Sequence, residues 1–217
     1  MLDPRELRLM IVTSGTLAPA HGHRALVHAA LAGGATAVQL RAPELTDAEL
    51  LPLAAELASL CSAGGVRFIV NDRLDVAVTS GADGVHLGQS DDLAGARERL
   101  GPGRILGISV AGAAQATAAV SMGADYLGVT VWSTPTKPEA RGRGTAGIRE
   151  VLGSVTIPVV GIGGITRDNF REVLEAGASG IAVISAVAGQ ADPAAAARDL
   201  RGRIDLWEEE TRGTTNR

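Results

Sequence analysis

Val66-Arg67-Phe68-Ile69-Val70-Asn71-Asp72 runs on through Arg73 to Ser80 and into Gly81-Ala82-Asp83-Gly84-Val85-His86-Leu87-Gly88-Gln89-Ser90-Asp91, and this stretch decides the fold. Its two apolar runs, Val66 to Val70 and Gly84 to Leu87, are short and are stopped by polar or glycine residues, as buried strands are. A helix-like segment separates them, so the strands are expected to be parallel neighbours joined by a crossover. Asp72 and Asp91 then stand at the same ends of adjacent strands, facing one cleft.

The same punctuation repeats outward in both directions. Strands are expected at Leu7 to Thr13, Ala37 to Leu40, Val66 to Val70, Gly84 to Leu87, Ile105 to Ser109, Tyr126 to Val131, Pro158 to Ile162 and Gly180 to Ile184. Ala- and Leu-rich amphipathic segments alternate with them, including Arg24 to Leu31, Asp47 to Ser62, Ala113 to Met122, Arg167 to Glu175 and Pro193 to Leu206. Runs such as Gly81-Ala82-Asp83-Gly84 and Gly177-Ala178-Ser179-Gly180 recur before strands, where the first glycine ends a helix in the left-handed cap. Eight such units point to an α/β fold, a single (β/α)8 TIM barrel over residues 1–207, with residues 208–217 as a fraying polar tail. A doubly wound sheet is the alternative, but it uses fewer units and no Gly-x-Gly-x-x-Gly follows the first strand. Aromatic residues are scarce, so the core must be aliphatic, which suits tight parallel strands covered on both faces.

A net charge of −4 without a dense Lys/Arg cluster gives no electrostatic case for nucleic acid. There is no apolar stretch of membrane-spanning length and no leader-like start, so no membrane partner is expected and the protein reads as soluble and cytoplasmic. Cys61 stands alone, following Leu57, Ala58 and Leu60, and reads as a packed helix thiol. Small molecules are the expected partners.

A barrel of this kind places its chemistry at the C-terminal ends of the strands. There, Asp72 and Asp91 each read alone as a helix cap, but as a pair they suit Mg²⁺ carrying a phosphorylated substrate, with waters completing the sphere. Gly161-Ile162-Gly163-Gly164-Ile165 after strand seven and Ile184-Ser185 after strand eight occupy the usual barrel phosphate site. The long segment Trp132-Ser133-Thr134-Pro135-Thr136-Lys137-Pro138, continuing through Arg141 and Arg143, reads as a lid or anion clamp. Trp132 either stacks on a flat heterocycle or plugs the mouth. Gln39 and Arg41 share one side of strand two, and an arginine pointing into the mouth matches a phosphate. His21, His23 and His28 lack further zinc-type ligands, His86 reads as a satisfied core histidine, and no Ser-His-Asp set presents itself.

Taken in order, Gln39-Leu40-Arg41, Asn71-Asp72-Arg73, Gly84 to Asp91, Gly107-Ile108-Ser109, Thr134-Pro135-Thr136-Lys137, Ile162-Gly163-Gly164-Ile165 and Ile184-Ser185 resemble the thiamine-phosphate synthase family over nearly the whole chain. The resemblance implies a transferase that joins a pyrimidinylmethyl diphosphate to a thiazole phosphate, releasing pyrophosphate. It implies Asp72 and Asp91 as Mg²⁺ ligands. The segment Gln39-Leu40-Arg41-Ala42-Pro43 with Asn71, Ser109 and Lys137 is implied at the pyrimidine diphosphate, where Arg41, Ser109 and Lys137 act on the departing group. Thr134, Pro135 and Thr136, with Gly164, Ile184 and Ser185, are implied at the thiazole phosphate. The family's reaction is one in which diphosphate leaves, the electron-rich pyrimidine carries the cation, and the thiazole nitrogen captures it.

The sequence departs from the family pattern at four places. Pro43 replaces a lysine, Ala111 replaces a histidine, Ser14 replaces a strand-one aspartate, and Val129-Thr130-Val131-Trp132 is a residue shorter than the common form. Pro43 and Ala111 keep a second reading open, a non-catalytic paralogue that binds a phosphorylated ligand. A thiazole tautomerase on the same barrel would need its histidine at Ala111, and fits less well.

Overall fold

A computed structural model describes residues 2–17, 22–89, 91–134 and 141–215. Eight parallel strands close into a barrel in chain order: β1 (Leu9–Val12), β2 (Ala37–Leu40), β3 (Arg67–Asn71), β4 (Gly84–Leu87), β5 (Ile105–Val110), β6 (Tyr126–Thr130), β7 (Val159–Ile162) and β8 (Gly180–Val183). The stretch that opened the reading forms β3 and β4, paired in parallel with Ile69 against Gly84 and Asn71 against His86. β1 pairs β8 to complete the circle.

The intervening helices are α1 (Gly22–Ala32), α2 (Asp47–Ala63), α3 (Leu74–Ser80), α4 (Ala96–Leu100), α5 (Ala113–Ser121), α6 (Gly144–Leu152), α7 (Phe170–Glu175), α8 (Ser185–Ala188) and α9 (Pro193–Thr215). Local chemistry sets several ends. Thr46 and Glu49 form a reciprocal capping box that starts α2. The recurrent glycine runs do feed strands through a left-handed residue, at Gly34, Gly81, Gly123 and Gly177; in Gly33-Gly34-Ala35 it is the second glycine that takes this role.

Strands such as Leu9–Val12 and Ala37–Leu40 are buried along their whole length because both faces are covered. Alternation divides them. Leu9, Ile11, Val38, Leu40, Phe68 and Val70 turn outward into the layer against the helices, whereas Met10, Val12, Ala37, Ile69, Ile105, Val160 and Ala182 turn into the barrel. Removing one such outward leucine costs about 2–5 kcal/mol. Cys61 is fully buried in the outer layer, and burial pushes its thiol up to about 12, so it is packing rather than a nucleophile.

Among the element ends that differ from the sequence expectation, two lie at the extremities of the chain. Leu7 closes a 3-10 turn, Pro4–Leu7, fixed by an Asp3–Glu6 capping box, so the first strand begins only at Leu9. The tail expected to fray from residue 208 instead continues α9 to Thr215. Its carboxylates are tied to the barrel, Glu208 to Arg8 at 2.5 Å and Glu210 to Arg171 at 2.8 Å. Such pairs contribute little each, about 0–1 kcal/mol when exposed, yet they extend a helix already nucleated on the body of the protein. Among the described residues no helix is long and apolar enough to cross a membrane.

Candidate active site

At the C-terminal mouth of the barrel lies a cavity open to solvent. Its wall follows from strand parity. The inward positions of β2 to β6 at this end of the barrel, with the residue after β2, are mostly polar: Gln39, Arg41, Asn71, His86, Ser109, Tyr126 and Thr130. Those of β7, β8 and β1, with Ile184 just beyond β8, are apolar: Val160, Ile162, Ala182, Ile184, Met10 and Val12. One cavity therefore offers a hydrogen-bonding arc opposite a greasy one.

The polar arc is knitted together. His86 Nδ1 lies 2.8 Å from the Tyr126 hydroxyl and His86 Nε2 lies 2.9 Å from Ser109 Oγ. Glycines make room for these rings. A Cβ on Gly107 would stand 2.3 Å from the Tyr126 ring, and one on Gly128 would stand 3.0 Å from His86 Cε1. Tyr126 is almost wholly buried, and that burial pushes its phenol upward despite a hydrogen bond from Gln39. His86 is thus satisfied, as expected, but it is also cavity wall. Tyr126 and Thr130 were not among the expected site residues, although the inward parity of Tyr126-Leu127-Gly128-Val129-Thr130 carried the signal.

Gly163 and Gly164 line the opposite rim with left-handed backbone. Their loop is pinned by Trp132 N–H donating to Gly163 O at 3.3 Å and by Asn169 Nδ2 donating to Gly164 O at 3.0 Å. Trp132 packs against the outer layer, close to Gly164, and is not among the residues that line the cavity. Ser185 and Thr134 complete the rim.

Of the residues expected at the site, Gln39, Arg41, Asn71, Ser109, Thr134, Gly164, Ile184 and Ser185 share this cavity. Leu40 and Ala42 turn into the outer layer. Pro43 is exposed, in a turn closed by Leu45 N–H donating to Ala42 O at 3.2 Å. Pro135, Thr136 and Lys137 lie outside the described residues. Arg143 is engaged with Glu150 at 3.0 Å.

Asp72 and Asp91 sit in the loops that leave the adjacent strands β3 and β4, beside the cavity and not on its wall. Neither caps a helix. α3 begins after Arg73 and α4 after Gly95, both without a side-chain cap. Asp72 has a φ of 63°, unusual for a residue with a side chain, and is held there by its N–H donating to His86 O at 2.8 Å. Asp91 Oδ2 accepts the Gly88 N–H at 2.5 Å, folding its loop back on the strand end. No cluster of three or more metal-type side chains occurs among the described residues. Carboxylates in the loops after two adjacent strands are the kind of donor that Mg²⁺ takes, since it is commonly held by one or two carboxylates together with waters and substrate phosphates.

Thr13, His23 and Glu44 form a hydroxyl–imidazole–carboxylate row, His23 reaching Thr13 Oγ1 and Glu44 Oε1 each at 2.8 Å. It is not a nucleophilic triad, because Thr13 is fully buried and its oxygen also accepts the Arg41 N–H at 3.2 Å.

The family model described as thiamine monophosphate synthase matches residues 9–187. A thiamine-phosphate synthase of Methanoregula boonei is 46% identical over 209 residues, covering 95% of this chain and 97% of its own. One from Moorella thermoacetica is 51% identical over 179 residues, covering 81% and 85%. The solved structure of a thiamine phosphate pyrophosphorylase from Pyrococcus furiosus superposes with a TM-score of 0.86 at 41% identity, covering 94% of this chain and 98% of that one.

Proposed function

The chain belongs to the thiamine-phosphate synthase family and has its function as a transferase of thiamine biosynthesis, and from that premise we propose how the barrel mouth divides the work. The pyrimidine diphosphate lies along the polar arc and the thiazole phosphate against the glycine rim, with pyrophosphate released. The observation that carries this division is the joining of Gln39, Arg41, Asn71 and Ser109 to Gly163, Gly164 and Ser185 in one cavity with an apolar opposite wall.

Gln39 and Asn71 orient the pyrimidine by hydrogen bonds. Arg41 and Ser109 grip the diphosphate where negative charge grows as it departs, and the resemblance to the family adds Lys137 to this role. The backbone of Gly163-Gly164 and Ser185 holds the thiazole phosphate, so that its ring nitrogen meets the pyrimidine methylene carbon. The apolar arc of β7, β8 and β1 keeps water from the electron-poor carbon before capture. Asp72 and Asp91 would hold Mg²⁺, which when bound supplies further charge neutralisation of the diphosphate oxygens.

Incubating the purified protein with both substrates and Mg²⁺ and measuring thiamine phosphate tests the reading. Product is expected, with one pyrophosphate for each thiamine phosphate. Absence of product from a protein that still binds pyrophosphate would favour the non-catalytic paralogue.

A further inference from the structure

We propose that Tyr126 and His86 are positioning residues which fix the direction of the Ser109 hydroxyl, making it a hydrogen-bond donor to the diphosphate. The proposal deepens the reading above and rests on its assignment of the diphosphate to the Ser109 side of the cavity.

The three side chains form a line from the barrel interior to the cavity: Tyr126 hydroxyl, His86 Nδ1 at 2.8 Å, His86 Nε2, and Ser109 Oγ at 2.9 Å. A neutral imidazole has one N–H and one lone pair, so the line runs in one of two directions. If Nδ1 carries the proton, it donates to the phenol oxygen, and Nε2 must accept the Ser109 O–H. Ser109 then presents lone pairs to its ligand, which repels an anion. If Nε2 carries the proton, it donates to Ser109 Oγ, and the serine O–H is left to donate into the cavity. The tautomer of a buried ring therefore decides whether the serine welcomes or rejects phosphate oxygens.

The inner end of the line selects between the two. The Gln39 amide is turned to Met10 Sδ, 3.5 Å from its Nε2. The buried phenol meets His86 Nδ1 at 2.8 Å, and a buried O–H left without an acceptor is costly, so the phenol donates to Nδ1, which leaves the imidazole proton on Nε2. The rings have no room to reorganise, since Gly107 and Gly128 provide only the space that the rings already fill. Nor does solvent intervene, with Tyr126 1% and His86 9% exposed.

The first test is spectroscopic and independent of turnover. In protein labelled with ¹⁵N-histidine, the long-range proton–nitrogen correlations of the four histidines report which ring nitrogen is protonated, and His86→Gln assigns the signal of His86. The Nε2–H tautomer is expected; a proton on Nδ1 overturns the proposal. The second test is calorimetry with pyrophosphate in the presence of Mg²⁺. Tyr126→Phe is expected to weaken binding about tenfold, the worth of one charge-assisted hydrogen bond. In a Ser109→Ala background the same substitution should change nothing further, whereas additive losses would mark Tyr126 as merely structural and overturn the relay. His86→Gln, whose amide can still donate to Ser109, should retain most of the affinity that His86→Leu loses; equal losses overturn the donor role. Lack of thiamine phosphate formation with this coupling intact rejects the reaction alone, and formation without the coupling rejects the relay alone.

Discussion

The imidazole Nε2 of His23 lies 2.8 Å from Glu44 Oε1, and this contact ties the first turn of α1 to the loop after β2. Because His23 Nδ1 meets Thr13 Oγ1, and that oxygen accepts the Arg41 N–H, the tie reaches the backbone that presents Arg41 to the cavity. His23→Ala is therefore expected to raise the KM for the pyrimidine diphosphate about three- to tenfold, the equivalent of one ordinary hydrogen bond. The KM for the thiazole phosphate should stay unchanged. Steady-state kinetics with each substrate varied in turn checks this, and equal rises in both values would sink the link to Arg41.

The same contact has an acid limit. Burial alone would raise the Glu44 carboxyl, but the hydrogen bond from His23 and a backbone hydrogen bond, with the charges of His23 and Arg41, outweigh it and hold the group below its usual 4.5. A carboxyl depressed on folding stabilises the protein fully above its unfolded value and loses that contribution as pH falls through the folded one. The difference in Tm between the parent and Glu44→Gln should thus persist down to about pH 4.5 and shrink below it. A difference that instead vanished on approaching pH 4.5 from above would contradict the assigned direction.

Asp72→Asn and Asp91→Asn are clean tests of the metal assignment. Asparagine tolerates the left-handed conformation that Asp72 adopts, and its carbonyl oxygen can still accept the Gly88 N–H at position 91. Each variant should fold normally yet need at least about tenfold more Mg²⁺ for half-maximal turnover, since a ligand charge is gone. An unchanged Mg²⁺ requirement in the double variant would remove both residues from the metal site.

Gly107→Ala places a methyl group against the Tyr126 ring, where the nearest atoms stand at 2.3 Å, whereas Gly128→Ala meets His86 at 3.0 Å. Overpacking of the first kind costs about 1–3 kcal/mol or more. Urea denaturation should rank Gly107→Ala as clearly less stable than Gly128→Ala; the reverse order would mean that the tyrosine side can yield and the histidine side cannot.

Strand identity was legible because parallel strands covered on both faces read as apolar runs, and Ala37–Leu40 and Gly84–Leu87 fall where the sequence put them. Element starts were less legible where side chains compete with the backbone. The helix expected from Arg167 begins at Phe170, because Asn169 Oδ1 accepts the Thr166 N–H at 2.7 Å and Thr166 Oγ1 accepts the Asp168 N–H at 3.2 Å. The cavity residues singled out by sequence lie at strand ends, where polarity interrupts an apolar run. Tyr126 escaped notice because it opens its strand, and its partner His86 is 40 residues away. Only barrel closure brings such a pair together.

Pro43 provides a test by restoration. It is exposed and occupies the second position of the Ala42–Leu45 turn, whose hydrogen bond runs from Leu45 N–H to Ala42 O and makes no use of an N–H at position 43. Pro43→Lys should therefore preserve the turn, at a cost below about 1 kcal/mol from the greater freedom of the unfolded chain. The resemblance to the synthase family implies a lysine here that faces the diphosphate. If that implication holds for this barrel, the added ammonium should tighten pyrophosphate binding severalfold, and rising salt should weaken that gain. Calorimetry of both proteins at two ionic strengths measures it. An affinity unchanged at low salt would mean that the turn directs position 43 away from the mouth, leaving Arg41 and the strand-six loop to hold the diphosphate.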